Sequence, residues 1–95
     1  MSTKTLIAIT DFCSSHNIEH TYITTLEEYG FVTLENGSFI PHQELPRVEK
    51  VIRLNREMNI NFEGIDVILN LLEKLDHLSA ERQQLVRRLR LHEEV

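Results

Sequence analysis

The spacing of apolar residues changes character several times along this chain, and each change marks an element. Leu6-Ile7-Ala8-Ile9 is a short continuous run, which predicts a brief strand or an extended lead-in. Thr10 offers an N-cap hydroxyl ahead of Asp11, whose charge suits a helix start, and Phe12, Cys13 and His16 follow at helical spacing. Asn17-Ile18 ends that helix. A second helix is predicted from about Glu19–Thr21 to Tyr29, because Tyr22, Ile23, Leu26 and Tyr29 recur at steps of three and four. Gly30 stands where a left-handed C-terminal cap favours glycine. Two short helices with a tight turn between them form a helix-turn-helix pattern.

Two β-prone runs come next, Phe31-Val32-Thr33-Leu34 and Phe39-Ile40, separated by Glu35-Asn36-Gly37-Ser38. Asn-Gly is a strong hairpin signal, since both central residues of a type I′ turn need positive φ. A hairpin directly after a helix-turn-helix is a wing. Beyond Pro41, the segment His42–Glu44 leads into a third helix with Pro46 in its first turn, where a missing N–H costs nothing. Its predicted buried stripe is Leu45, Val48, Val51, Ile52, Leu54 and Met58, and Asn59-Ile60-Asn61 interrupts it. Asn61 then caps a fourth helix from about Phe62 to His92. Within it Ile68, Leu71, Leu75, Leu78, Leu85 and Leu89 occupy the a and d positions of one heptad frame, with Arg82 and His92 the exceptions. A helix so long needs a packing partner, and this seam predicts a homodimer. Asp76–Ser79 is a possible break, because Ser79 can cap a new start. The pattern leaves a straight and a broken helix open, as it does parallel and antiparallel pairing.

Length and charge sharpen this picture. A chain of 95 residues buries only roughly 60–65% of its unfolded surface, so its core is small and oligomerisation is a usual remedy. We divide it into a winged-helix region, 1–60, and a C-terminal helical region, 61–95, within a single compact domain. The first 45 residues hold one base, Lys4, against six acids: Asp11, Glu19, Glu27, Glu28, Glu35 and Glu44. Residues 46–95 hold nine of each sign, so the net charge of −5 belongs to the first half. Duplex DNA is held by Lys and Arg against phosphates, and this wing and second helix have none. Nucleic acid is therefore a poor match, and a basic protein a better one.

Other chemistry is sparse. Cys13, His16 and His20 have the spacing of half a metal site, but the helix breaks between the histidines and no fourth ligand is near in sequence. We read a buried thiol and two surface histidines, with no metal and no cofactor. No nucleophile motif, paired carboxylates or glycine loop points to an enzyme. Arg82, Arg87, Arg88 and Arg90 read as the solvated side of a terminal helix, complementing its dipole. One cysteine fits a reducing compartment, and the start is too little apolar for a signal peptide. No run reaches the ~18–20 apolar residues of a membrane span. The expectation is a cytoplasmic protein.

Three stretches carry a resemblance. They are Ile9-Thr10-Asp11-Phe12-Cys13 with Ile18, then Tyr29-Gly30-Phe31-Val32, then Arg53-Leu54, Glu57-Met58, Ile60-Asn61-Phe62 and Gly64-Ile65, continuing through Val67, Leu69 and Leu71-Leu72 to Leu78. In this order and spacing the chain resembles the CbpM family of chaperone modulators, small relatives of MerR-type regulators. The resemblance implies an all-α fold with a small β-hairpin wing: a MerR-like winged helix-turn-helix followed by a long C-terminal dimerisation helix or helix pair. It also implies a function, in which the protein binds the J-domain of a DnaJ-like co-chaperone of the CbpA type and blocks its work with a DnaK-type ATPase. J-domains engage that ATPase through a basic helix, which an acidic surface would complement. From charge and position we expect Asp11, Glu19, Glu27, Glu28 and Glu35 to contact the partner, with Tyr22 or Phe39 as an aromatic anchor. The alternative is a MerR-like DNA-binding transcriptional regulator.

Overall fold

The computed structural model describes residues 5–93; Lys4 lies outside them. Among these residues the protein is mostly helical, with four α-helices and one small antiparallel sheet. In order these are β1 (Leu6–Ala8), α1 (Ile9–His16), α2 (His20–Glu28), β2 (Phe39–Pro41), a single 3₁₀ turn at His42–Glu44, α3 (Leu45–Arg56) and α4 (Phe62–Glu93). The chain divides into two compact units between Ile60 and Asn61.

In the first unit, α1 opens directly out of the sheet. Ala8 is its N-cap and makes no side-chain cap bond, so Thr10 lies inside the first turn rather than capping it. The reason is visible one residue earlier. The Ile9 N–H, an orphan donor at the helix start, is already satisfied by the Ser38 carbonyl at 2.9 Å. Asn17 ends α1 in the left-handed region, at φ 53°, and the Ile18 N–H reaches back to the Cys13 carbonyl. The end of α2 is a full Schellman motif. Gly30, at φ 79°, donates to Glu27 O, and Phe31 donates to Leu26 O.

The Asn-Gly turn forms as expected, with Asn36 at φ 52° and Gly37 at φ 70°. Glu35 and Phe39 close it by exchanging backbone bonds of 2.8 and 3.1 Å. The strand that leaves the turn, however, pairs with β1 and not with Phe31–Leu34. Its register is Leu6↔Pro41, Ile7↔Ile40 and Ala8↔Phe39. Residues 31–34 form no strand because Phe31 and Val32 are both buried, which breaks a strand's in–out alternation. The Thr33 N–H also turns away from the ladder, to the Glu44 carboxylate at 2.8 Å.

The core of this unit gathers Ile9, Phe12, Cys13, Ile18, Ile23, Leu26, Phe31, Val32, Ile40, Val48 and Val51. Burying each of the larger side chains stabilises by roughly 1.5–3 kcal/mol. Of the stripe expected on α3, only Val48 and Val51 are fully buried, while Leu45, Ile52 and Leu54 are half-buried. Met58 is exposed, because α3 ends at Arg56 and Asn59, at φ 56°, turns the chain away. Tyr29, expected on the buried stripe of α2, is likewise exposed, since it caps the helix instead of continuing it.

In the second unit, Asn61 caps α4 as the sequence suggests, accepting the Gly64 N–H at 2.7 Å. The helix runs unbroken for 32 residues, about 48 Å, so the break considered at Asp76–Ser79 is absent. Ile65 is fully buried and Phe62, Ile68 and Leu69 are half-buried; every side chain from Asn70 to Leu91 is exposed. No helix among the described residues is long and apolar enough to cross a membrane.

Gly30 gives a direct test of the cap. A Cβ there would meet nothing within 4 Å, so Gly30→Ala costs only backbone strain, about 1–2 kcal/mol. Gly30→Asn should recover part of the loss, because Asn tolerates the left-handed region. Urea denaturation should rank the variants Gly, Asn, Ala in falling stability, and equal midpoints would refute the strain argument.

Candidate partner-binding surface

The second helix of the helix-turn-helix is α2, the element that a DNA-reading relative would present to a groove. Its exposed positions are His20, Thr21, Thr24, Glu27 and Glu28, with Tyr22 and Thr25 half-buried. None is Lys or Arg. Two threonine hydroxyls donate within the helix, Thr24 to His20 O at 3.3 Å and Thr25 to Thr21 O at 3.0 Å.

Charge on this helix runs against its own dipole. The first turn has no acid and the last turn has no base; instead Glu27 and Glu28 sit at the negative end. Such a placement disfavours the helix slightly, so local stability does not account for these acids.

The candidate residues do not all share one face. At about 100° per residue, Tyr22 and Glu27 fall on opposite flanks of the buried Ile23–Leu26 line, and Glu28 points away from it. Glu19 is the N-cap of α2, about 12 Å along the axis from Glu27, and takes a 3.4 Å bond from the Thr21 hydroxyl. Asp11 is exposed in the first turn of α1. Glu35 is half-buried at the root of the Asn-Gly turn, opposite Phe39, which is 37% exposed on β2. Glu27, Glu28 and the exposed Tyr29 are contiguous, and the Tyr29 ring lies nearly parallel to Phe31 with centroids 6.0 Å apart.

Tyr22 is committed internally. Its hydroxyl donates to Asn55 Oδ1 at 2.8 Å, and Asn55 Nδ2 donates to Ile60 O at 2.9 Å. Burial pushes the phenol up from its ordinary value, against the opposing pull of the Arg56 guanidinium, so the donor proton is retained. Arg56 lies over the ring, 4.7 Å from the centroid, and reaches the Asn17 carbonyl at 3.4 Å. Sequence reasoning missed Asn55 and Arg56, since nothing local marks a side chain whose partner is on another helix.

Cys13, His16 and His20 do not converge on a metal site. Cys13 is buried, and desolvation raises its thiol above the usual range. His16 stacks on Phe12, bonds its carbonyl at 3.1 Å, and faces Glu49 at 3.8 Å, while His20 opens α2. Among the described residues no group of three or more such ligands comes together.

On α4 the heptad positions are laid bare. Leu71, Leu75, Leu78, Leu85 and Leu89 are 53–62% exposed, and Ile68 is half-buried. Leu72 and Val86, outside the a/d frame, are each 38% exposed and widen the apolar strip.

The Tyr22–Asn55 relay predicts an asymmetric cost. Tyr22→Phe removes the bond to Asn55 Oδ1, whereas Asn55→Ala takes away both the acceptor of the Tyr22 proton and the donor to the Ile60 carbonyl, costing about 1–2 kcal/mol. A double-mutant cycle by chemical denaturation should show the pair coupled. Strictly additive losses would mean the bond contributes nothing.

Residues 7–88 match the family described as MerR HTH family regulatory protein. No curated protein and no solved structure matches the chain. The matched span runs from β1 through the helix-turn-helix, the Asn-Gly turn and α3 to most of α4, so the chain belongs to the MerR HTH family of regulatory proteins.

Proposed function

We propose that this protein is an adaptor of the CbpM type. It binds the J-domain of a DnaJ-like, CbpA-type co-chaperone and blocks its stimulation of a DnaK-type ATPase. One observation carries the reading: α2 itself has no Lys or Arg and ends in Glu27 and Glu28, set against the helix dipole, while Arg56 of α3 lies over Tyr22. Phosphate would be repelled there. A basic helix brings the missing positive charge to the negative end of α2, relieving both carboxylates and the last-turn carbonyls. A J-domain held by its basic helix is then unable to present that helix to the ATPase, and inhibition follows from simple exclusion.

Exposed ion pairs contribute only ~0.2–1 kcal/mol each, so an aromatic contact has to supply much of the affinity. Tyr22 is occupied by Asn55 and Arg56. Phe39 and Tyr29, both solvent-exposed, are the better anchors. Asp11, Glu19 and Glu35 act as outer charges that steer the approach.

The leucine strip of α4 supports a homodimer. A water-exposed row of Leu71, Leu75, Leu78, Leu85 and Leu89 is unstable in isolation, and a second copy offers the matching row. A parallel, in-register pair would stack Arg82 on the other copy's Arg82 at an a layer. Antiparallel pairing sets it against leucine and allows Lys74 of one copy to meet Glu81 of the other, so we favour that orientation.

A second reading follows from the family itself, a transcriptional regulator that binds a pseudo-palindromic duplex as a dimer. Four exposed bases on α3, Arg47, Lys50, Arg53 and Arg56, are the only cations that the described part of the first unit offers to it. Eight acids in residues 5–60 oppose them.

Charge reversal separates the readings. Glu27→Lys with Glu28→Lys should weaken J-domain binding at least tenfold and flatten its salt dependence. The same change should raise thermal stability slightly, by up to about 1 kcal/mol, because it corrects the dipole. Unaltered affinity by calorimetry would remove α2 from the interface. Sequence-selective retention of duplex in a gel shift at physiological salt would favour the regulator instead. For the dimer, Leu75→Asp with Leu78→Asp should yield monomers in sedimentation equilibrium, and a persistent dimer would place the seam elsewhere.

A further inference from the structure

The last turns of α4 carry a charge feature that neither reading above uses. From Arg82 to Leu91 the chain has four bases, Arg82, Arg87, Arg88 and Arg90, and no acid; Glu81 and Glu93 bound the run. All four are exposed, and none makes an ion pair among the described contacts. Three of them share a face. At about 100° per residue, Arg82, Arg87 and Arg90 fall within an arc of roughly 140°, and Arg88 points away, about 160° from Arg90. The same three border one shallow depression along the helix with Ser79, Gln83 and Val86, and Arg88 does not. Arg87 and Arg90, three residues apart, repel one another, and the helix dipole favours cations only in its last turn. Helix stability therefore leaves Arg82 and Arg87 without a role.

The chemistry of the strip narrows what can cover it. Its centre lies about a third of a turn round the helix from Leu78, Leu85 and Leu89, and only Arg82 borders both, so the strip stays open when that row is paired. Its one apolar member is Val86. A protein partner draws most of its affinity from buried apolar anchors, and a membrane surface needs an apolar face to bury; Val86 alone supplies neither. Phosphate needs neither, because its affinity comes from cations that release bound counterions, and a guanidinium fork meets two phosphate oxygens at once. Composition then decides between forms of nucleic acid. Single strands are held by stacking bases on aromatic rings, and the chain has no Phe, Tyr or Trp after Phe62. A duplex presents its phosphates along a stiff edge, which an unbroken helix with three cations over about 12 Å can follow.

We infer that Arg82, Arg87 and Arg90 of α4 form a strip that binds duplex nucleic acid through its phosphates, without reading sequence. The strip is independent of the adaptor reading. It is also distinct from the regulator reading, in which the first unit would have to recognise a pseudo-palindrome. Each arginine set against a phosphate contributes about −0.9 to the slope of log K against log salt. Three such contacts are weak in a chain of net charge −5, and they act at low salt. They concentrate the protein near nucleic acid and use none of the first unit's side chains.

The test follows the full chain by fluorescence anisotropy with a labelled duplex of mixed sequence, starting at low salt and raising it. Arg87→Gln with Arg90→Gln should weaken binding at least fivefold, and the salt slope should become shallower by about 1.8 or more. The internal control is the neighbouring arginine. Arg88→Gln removes the same charge one residue away, off the strip, and should change affinity less than twofold, where Arg87→Gln alone costs about threefold. Circular dichroism should show the same helix content in every variant, since Gln and Arg have nearly equal helix propensities. A second duplex of unrelated sequence should bind as well as the first. Equal losses at positions 87 and 88 would reduce the effect to net charge and overturn the strip. So would the absence of duplex binding at low salt, or binding of poly-glutamate or phosphatidylserine vesicles in place of duplex. A strong sequence preference, or a loss that follows Arg47→Gln with Lys50→Gln instead, would move the contact to the first unit and also overturn the proposal.

Discussion

Tyr22 and Asn55 stand 33 residues apart, and the 2.8 Å bond between them ties the second helix of the helix-turn-helix to the end of α3. Asn55 passes the connection on to the Ile60 carbonyl, so the last residue of the first unit is held by the same side chain. Arg56 closes the arrangement from above, over the Tyr22 ring and within reach of Asn17 in the turn between α1 and α2. A small core needs such ties. With eleven buried apolar side chains among the described residues of the first unit, the core is small, and a few directional bonds help to hold α2 in place.

The charge layout of α2 makes sense in that light. Acids in the last turn of a helix are mildly unfavourable, and a chain this small has little stability to spare. Their presence is consistent with a surface that is completed by something positive. At its end α2 carries the carboxylates of Glu27 and Glu28, followed by the exposed aromatic ring of Tyr29, and none of its own residues is Lys or Arg. The fold by itself does not fix what such a helix binds; the side chains it presents do.

The long helix poses a different problem. Its backbone bonds are satisfied internally, yet from Asn70 to Leu91 its side chains face water. An isolated helix with so many exposed leucines gains little from burial until it meets a matching surface. Hydrophobic contact alone is indifferent to direction, and polar Arg82 interrupts the leucine row with Lys74 and Glu81 beside it.

Much of this was legible from the amino-acid sequence. The spacing of Ile23 and Leu26, the Gly30 cap, the Asn36-Gly37 turn, the Asn61 cap and the heptad row of α4 each depend on interactions within a few residues, which sequence encodes directly. The partner strand of β2, the capping of Ile9 by Ser38, the exposure of Met58, the engagement of Tyr22 by Asn55 and the cation that Arg56 brings to α2 belong to the tertiary structure alone. Each joins segments far apart along the chain, where many pairings satisfy the local pattern equally well. Only the packing of the whole unit selects one of them, because only there do burial and hydrogen-bond satisfaction have to hold for every segment at once.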